Sequence, residues 1–418
     1  MSTISEEVAI EAEPSPGIGQ SLHNYWERVR GGELGSLPAV AGLLALIIVF
    51  TALQGETFLS AFNFANLINQ SAMIIVLAMG LVFVLLLGEI DLSAGFAAGT
   101  AAAVLGVTLT QKGWPWYLAL LATLLTGVII GLVIGLLVSR LGIPSFVVTL
   151  AMFLALQGLM LLIIGEGGTI PIRDEGILAL MNSNMSPLAG WILFAIVVGG
   201  WALLSLNRMR SRRSRGLPVE AMSVWLAKLI AMAVIFGLAV WILNGERSRN
   251  PAITSIKGVP YVVPLILILV VGLTYLLSRT SFGRHVYAVG GNAEASRRAG
   301  INVANIKLAC FIACSTMAAV AGILFASRDN SVSPSTGGST TLLYAVGAAV
   351  IGGTSLFGGR GRMIDAVIGG LVVGVIANGL PLVTQESGIS FIVTGLVLLI
   401  AASVDALSRR RAIASGRA

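Results

Sequence analysis

Charged residues are scarce in this chain of 418 residues. Only 11% are Asp, Glu, Lys or Arg, whereas soluble domains carry about 25%. Hydrophobic residues make up 56%, and runs of the roughly 20 apolar residues needed to cross a bilayer recur along the chain. The composition therefore excludes a soluble globular protein and indicates an all-α polytopic membrane protein.

Residues and motifs for covalent or metal chemistry are equally sparse. The chain has two histidines and two cysteines. Cys310 and Cys314 lie four apart in an apolar run, which favours packing on one helix face over half of a zinc site. HExxH and GxSxG do not occur, and the Gly-rich stretch 352–363 lacks the Lys-Ser/Thr pair of a phosphate loop. We therefore expect no catalytic residue, metal or cofactor, and an energy source that is either a gradient or a separate ATPase.

Twelve apolar runs are long enough to be membrane spans. Lys and Arg accumulate in cytoplasmic loops, and most of the 26 fall on one side if the N-terminus is cytoplasmic. This predicts that both termini are cytoplasmic, with tails at 1–37 and 409–418 around a membrane domain at 38–408, and explains the net charge of +7 without nucleic-acid binding. The predicted spans are 38–54, 67–87, 93–110, 116–138, 146–164, 188–206, 221–243, 260–278, 306–327, 340–357, 364–384 and 389–407.

Two acidic residues interrupt one apolar stretch. Glu89 and Asp91, in GEIDLSAG, divide what would otherwise be a continuous run over 67–105. A carboxylate inside a bilayer is costly and usually functional. The break is therefore either a plain turn with its carboxylates in water or a gate that lines a path. A proton relay is the third alternative, although the chain offers no further carboxylates at mid-membrane depth. Ser93 is a candidate cap for the following helix.

Other polar and small residues lie inside the predicted spans. Gln157 and Asn378 are expected to bond across helices or, alternatively, to line a path for a hydroxylated solute. Closely spaced glycines predict helices that approach one another closely. They are Gly127, Gly131 and Gly135 in one span, and Gly369, Gly370 and Gly374 in another.

The polar segment 278–307 contains a short, well-delimited helix. Its predicted range is 293–299, with a small-residue stripe at Ala295 and Ala299 that allows close approach of another surface. An acidic first turn and a basic last turn both match the helix dipole. The segment is therefore suited to docking. Its defining residues are Asn292 as N-cap, Glu294 in the first turn, Arg297 and Arg298 in the last turn, and Gly300 as the left-handed terminator.

Five motifs occur in a specific order: GEIDLSAG at 88–95, IPSFVVTLA at 143–151, TSFGRHVYAVGGNAEASRRAGINV at 280–303, VSPSTGG at 332–338 and VIGGTSLFGGRGR at 350–362. In this combination the chain resembles the permease subunits of bacterial ABC importers for monosaccharides, the group that takes up ribose, arabinose and xylose. The resemblance runs from about Leu53 to Arg411. The xylose type is the most similar, because the ribose type lacks the two extra spans within 188–243. Gly88, Ala94 and the charged GGRGR loop depart from the family pattern.

The resemblance implies a type II-like importer permease in the bacterial inner membrane. It implies a second permease copy, an ATP-binding subunit, an extracytoplasmic sugar-binding protein, and alternating access for a monosaccharide, with D-xylose the leading candidate. A gradient-driven carrier or channel without an ATPase is the alternative, and it would need ionisable carboxylates at mid-depth. The loop 278–307 would contact the ATPase through Asn292, Glu294, Ala295, Arg297, Arg298 and Gly300. The candidate path or gate residues are Glu89, Asp91, Ser93, Gln157 and Asn378.

Overall fold

The computed structural model describes residues 36–403 except 218, 249, 254, 387, 397, 398, 401 and 402, together with Gly19. The predicted tails lie outside this range apart from Gly19, Ser36 and Leu37, so the side on which the termini lie stays a prediction. Most of the described chain is helical, as the composition indicated. The elements are α1 (Leu37–Phe58), α2 (Ala61–Leu86), α3 (Ala94–Gly106) continued by a π-helix (Val107–Gln111), α4 (Trp116–Ser139), α5 (Ser145–Ile164), β1 (Ile170–Pro171), α6 (Glu175–Asn182), α7 (Pro187–Arg213), α8 (Met222–Asn244), α9 (Val262–Arg279), α10 (Ser281–Gly291), α11 (Ala293–Arg298), α12 (Val303–Asp329), β2 (Ser331–Val332), α13 (Gly338–Gly352) and α14 (Met363–Val383).

Ten helices among the described residues are long and apolar enough to cross a membrane. Two of the twelve predicted spans are not among the ten. The span predicted at 340–357 corresponds to α13, which has 15 residues. The span predicted at 389–407 falls partly outside the described residues, of which 388–396 are helical. The described chain thus confirms a polytopic helical membrane protein, while the number twelve stays a prediction.

The helix α12 runs through the centre of the protein. Its amino terminus is capped by Asn302, whose side-chain oxygen accepts a hydrogen bond from the Asn305 amide at 3.0 Å. Helices α2, α3 and α4 pack along it, so Phe311 and most of the residues after it on α12 are buried. A helix that is apolar on all sides and surrounded by other helices is a core element. The rest of the fold is arranged around it.

Glycines allow the closest helix contacts, as their spacing predicted. A β-carbon added at Gly131 of α4 would lie 2.5 Å from the Cα atom of Ile312 in α12, and Gly127 and Gly135 approach α12 in the same manner. On the opposite side of the core, Gly374 of α14 lies directly against α2. Small residues let backbones come close enough for extensive van der Waals contact, which is a main source of helix association in membranes.

Two stretches of non-helical backbone enter the helix bundle. Residues 87–93 separate α2 from α3, and residues 333–337 lead from β2 into α13. The second stretch reaches the start of α3, because a β-carbon at Gly95 of α3 would lie 2.2 Å from the Gly338 carbonyl oxygen and one at Gly337 would lie 2.4 Å from the Gly95 carbonyl oxygen. Irregular backbone at membrane depth is tolerated where protein or a polar cavity surrounds it. Helices α3 and α13 therefore begin side by side within the protein.

Helices α7 and α8, the predicted additional pair, form a hairpin at the edge of the bundle. The Trp225 indole Nε1 donates to Ser205 Oγ at 2.8 Å, and the Trp201 and Trp225 rings stack with centroids 6.4 Å apart. The hairpin contacts the rest of the protein through a small apolar cluster that includes Val240 and Leu243. Because most of its remaining surface is exposed, the pair adds a hairpin to the bundle without entering the core.

Candidate functional site

The short helix α11 has the geometry that the sequence predicted, and ends one residue earlier than expected. Asn292 Oδ1 accepts a hydrogen bond from the Ala295 amide at 2.8 Å, which caps the helix. Glu294 accepts from Arg297 Nη1 at 3.0 Å and from Arg298 Nε at 3.2 Å. After the helix, Gly300 has φ +84°, a left-handed conformation that glycine adopts without steric cost.

The charged side chains of α11 point away from the protein. The side chains of Glu294, Arg297 and Arg298 are 57%, 68% and 80% exposed, and Ala295 is also exposed. In contrast, Ser296 is buried and forms the inward side of the helix. Exposed ion pairs of this kind contribute about 0 to 1 kcal/mol to stability. The charges of α11 therefore contribute little to the fold and remain available to a partner.

Helix α10, which precedes α11, was not distinguished by the sequence analysis. Its Gly290 lies so close to the end of α2 that a β-carbon there would be 1.8 Å from the Leu86 carbonyl oxygen. The Gly359 amide donates to the same Leu86 carbonyl at 2.8 Å, so α10, α2 and the loop before α14 meet at one point. Gly283, two turns earlier on α10, approaches the Leu277 carbonyl. Two glycines seven residues apart were the signal for this packed face.

A tyrosine fastens α10 to the GGRGR loop. The Tyr287 hydroxyl donates to the Gly361 carbonyl at 2.7 Å. Burial, together with the nearby Asp365 carboxylate, raises the pKa of Tyr287, so the phenol stays protonated and remains a donor at neutral pH. The loop that departs from the family pattern thus supports the helix that leads into α11.

A cleft of about 550 Å³ lies beside α11, between the end of α4 and the start of α12. Arg297 and Lys307 line it together with small or apolar residues, among them Gly142, Gly300 and Ile301. It contains no acidic lining residue in the described part of the chain. A cleft with a basic wall next to a projecting helix provides a second surface on which a partner could rest.

The break between α2 and α3 combines a left-handed glycine with two carboxylates in different surroundings. Gly88 has φ +75°, which lets the chain reverse after α2. Glu89 forms an ion pair with Lys307 in the second turn of α12, and both side chains are largely buried, at 17% and 24% exposure. The break is therefore attached to the beginning of the central helix, close to α11.

Asp91 is almost fully buried, so the turn with both carboxylates in water is wrong for this residue. Its Oδ1 atom accepts from the Ser93 amide at 2.9 Å and from Ser93 Oγ at 2.6 Å. The expectation that Ser93 caps α3 is also wrong, because its hydroxyl donates to Asp91 and makes no cap hydrogen bond. The Asp91 carboxylate stabilises the turn at the start of α3. It lies two residues before Ser93 and can therefore accept hydrogen bonds from the first backbone amides.

The two amides predicted inside the spans differ in their surroundings. Asn378 of α14 exchanges two hydrogen bonds with Asn63 of α2, at 2.9 and 3.0 Å, and is buried. The prediction of a bond across helices is thus confirmed for Asn378. Gln157 of α5 is partly exposed and has no hydrogen-bond partner among the described residues. Three residues further along α5, the Met160 sulfur borders Gly99 together with the Thr336 carbonyl oxygen.

Breaking the Glu89–Lys307 pair is expected to destabilise the protein. In Lys307→Met, Glu89 would remain largely buried without its partner, and we expect the free energy of unfolding to fall by about 1 to 3 kcal/mol. Thermal unfolding in detergent measures the loss. The charge swap, Glu89→Lys with Lys307→Glu, should recover at least half of it. Lys228→Met, which breaks an exposed pair with Glu220, is the matched control. Equal stability of Lys307→Met and this control would contradict the prediction.

Comparison with known proteins places this architecture in a family. The family model for the branched-chain amino acid transport system permease component matches residues 63–402. The chain belongs to this permease family. With ten apolar helices among its described residues, it is a multi-pass protein of the bacterial inner membrane.

The curated relatives of the chain are similar over nearly their whole length. The xylose transport system permease protein XylH of Escherichia coli K12 is 36% identical over 375 residues, 89% of this chain and 92% of that protein. XylH of Haemophilus influenzae is 34% identical over 369 residues, 88% and 95% of the two chains. The ribose import permease protein RbsC of Escherichia coli K12 is 29% identical over 371 residues, 88% and 92%. No solved structure matches the chain.

Proposed function

We propose that the chain is the membrane-spanning subunit of an ATP-driven importer that carries a monosaccharide, with D-xylose as the first substrate to test. The observation that carries the proposal is the 36% identity to a xylose permease across 92% of that protein's length. The chain itself is the transport subunit and not the enzyme. ATP hydrolysis comes from a separate ATP-binding subunit.

Helix α11 is the surface through which that subunit acts. Its three charged side chains project from the protein. Among the described residues, they form ion pairs only with one another. It continues directly from α10, which is packed against the end of α2. An ATP-binding subunit that binds α11 can therefore move the membrane helices directly, because no flexible loop lies between α11 and α10. The coupling residues are Asn292, Glu294, Ala295, Arg297, Arg298 and Gly300.

Alternating access requires two states with different contacts to the sugar. In the proposed mechanism two permease copies enclose the path, and the sugar-binding protein delivers sugar at the end that carries β1 and β2. ATP-driven closure of the ATP-binding subunits moves α11 and opens the path toward the cytoplasm. The break at 87–93, with Glu89, Asp91 and Ser93, is the gate element beside that path. Gln157 lines the path, whereas Asn378 holds α14 against α2.

Reconstitution tests the proposal directly. Liposomes containing the chain, its candidate ATP-binding subunit and its candidate sugar-binding protein should take up radiolabelled xylose. This uptake should require ATP on the side of the membrane where the ATP-binding subunit lies. ATP hydrolysis should rise several-fold when xylose-loaded binding protein is added. The same assay with ribose or arabinose, each supplied with a binding protein for that sugar, defines the range of sugars transported. Uptake that persists without the ATP-binding subunit would overturn the proposal in favour of a gradient-driven carrier or channel.

A further inference from the structure

Residues 333–341, the sequence SPSTGGSTT, carry a hydroxyl-rich surface deep in the helix bundle. The Thr336 carbonyl oxygen lies against Gly99, and the neighbouring Ala98 carbonyl lies against Gly322 of α12. Gly322 is seven residues from the end of α12 at Asp329, which is about 10 Å at 1.5 Å per residue. Gly338 lies a further helical turn inward, beside Gly95. The segment thus reaches about 10 to 16 Å below the end of a central helix.

Two hydroxyls in this segment are exposed and unpaired. Ser339 and Thr340 are exposed at the first turn of α13, and among the described residues neither hydroxyl has a hydrogen-bond partner. The cause is their position, because a first-turn residue has no helical carbonyl four residues before it. Seven other hydroxyls of the membrane helices donate to the preceding turn of their own helix. These are Thr108, Thr123, Thr126, Thr149, Ser205, Ser278 and Thr316.

Lipid is an unfavourable neighbour for the hydroxyls of this surface, although the apolar Leu343 side chain, one turn later on α13, is 59% exposed. An exposed hydroxyl without a partner costs free energy in an apolar medium, and irregular backbone does not face hydrocarbon. Residues 333–337 are irregular, and Ser333 and Ser335 bond each other through their hydroxyls at 2.8 Å. The free hydroxyls therefore favour water, a polar solute or polar groups of another chain as neighbours.

A second polar group lies at the same depth. Both the Thr336 carbonyl oxygen and the Met160 sulfur border Gly99, so α5 and the segment 333–337 meet there. Gln157 lies three residues before Met160, on the same side of α5, and is partly exposed without a partner among the described residues. Tyr344, one turn after Thr340 on α13, adds a partly exposed aromatic ring. Polar groups of α5 and α13 and one aromatic ring of α13 thus lie at a similar depth in the bundle.

We propose that Ser339 and Thr340, with Gln157 and Tyr344, form a monosaccharide contact surface in the path between two copies of the permease. The inference rests on the proposed function and assigns the sugar contact to named residues. The hydroxyls exchange hydrogen bonds with the sugar hydroxyls, and the Tyr344 ring packs on its apolar face. No ionised group takes part, so the sugar is held weakly and leaves in either direction, as passage requires.

Cysteine accessibility tests the location. Ser339→Cys and Thr340→Cys should react with a membrane-impermeant thiol reagent in the assembled importer, and xylose at high concentration should slow the reaction at least threefold. The two native cysteines are buried and free, so the background is low. Thr126→Cys in α4 is the control that should not respond to sugar. Absence of reaction at both positions, or cross-linking between copies with no effect of sugar, would overturn the proposal.

Transport tests the chemistry. The variant with both Ser339→Ala and Thr340→Val should lose about tenfold in sugar moved per ATP hydrolysed, which corresponds to the loss of two ordinary hydrogen bonds. Thr340→Ser keeps the hydroxyl and should restore transport relative to Thr340→Val. Thr126→Val removes a hydroxyl that bonds its own helix and should transport normally. If the double variant matches this control while the wild type imports sugar, the contact surface is refuted. If the wild type shows no ATP-dependent uptake, the proposed function itself fails.

Discussion

Glu294→Arg is expected to abolish coupling while leaving the permease folded and inserted. The substitution replaces the acidic residue that accepts hydrogen bonds from Arg297 and Arg298, so three cations would lie on one short helix. Like charges brought together at an interface cost several kcal/mol, and we expect sugar uptake to fall at least about tenfold. Stability should change by less than about 1 kcal/mol, because the lost pairs are exposed. Uptake and ATP hydrolysis measured on the same liposomes give the amount of sugar taken up per ATP hydrolysed.

The matched control is Glu220→Arg. Glu220 is also an exposed acid in an exposed ion pair, with Lys228, but lies in the loop before α8. This variant should retain wild-type uptake per ATP hydrolysed. Full uptake by Glu294→Arg would remove Glu294 from the coupling surface. Equal loss in both variants would mean that net charge, and not α11, determines the outcome.

Gly131→Leu is expected to prevent normal packing of α4 on α12. Even the first added carbon would lie 2.5 Å from Ile312 Cα and 2.6 Å from the Phe311 carbonyl oxygen. These are backbone atoms of a buried helix, so the contact cannot be relieved by turning a side chain. Overpacking typically costs 1 to 3 kcal/mol, and a leucine at this position should exceed that, at about 4 kcal/mol or more. Thermal unfolding and size-exclusion profiles in detergent measure the loss.

Two companion variants make the packing experiment decisive. Gly158→Leu changes a glycine of α5 that has no atom within 4 Å of an added β-carbon, and its unfolding temperature should stay close to that of the wild type. Gly131→Ala tests the milder case and should lie between the two. A wild-type unfolding temperature for Gly131→Leu would show that α4 and α12 are less closely packed than described.

Local sequence determined α11 well, whereas tertiary packing determined what lies inside the bundle. The cap, the ion pairs and the left-handed end of α11 depend on residues within nine positions of one another, so Asn292 and Gly300 could be recognised from the sequence. Hydropathy also located most helices, because each span has to be apolar over its whole length.

The misjudged features depend on contacts far apart in sequence. The burial of Asp91 follows from its contact with α12, where the Cys314 side chain lies within hydrogen-bonding reach, and no local pattern encodes that contact. Helix α13 is shorter than predicted because it ends at Gly352, where Gly353 takes φ +121° and the chain leaves the helix, and a hydropathy average cannot distinguish this end from a full span. The hydroxyls of Ser339 and Thr340 were not recognised from the sequence, since their exposure in the first turn of α13 depends on how residues 333–337 lead into that helix.

The contact of Gly290 with the end of α2 limits how α11 can move. A single residue, Asn292, separates α10 from α11, and α10 is wedged between the Leu86 carbonyl and the backbone of Gly359. Too little free backbone is therefore available between α10 and α11 for them to move as if joined by a hinge. A displacement of α11 by even a few ångströms has to tilt α10 as a rigid unit, and the far end of α10, at Gly283, lies against Leu277 in the last turn of α9, a helix long and apolar enough to cross the membrane.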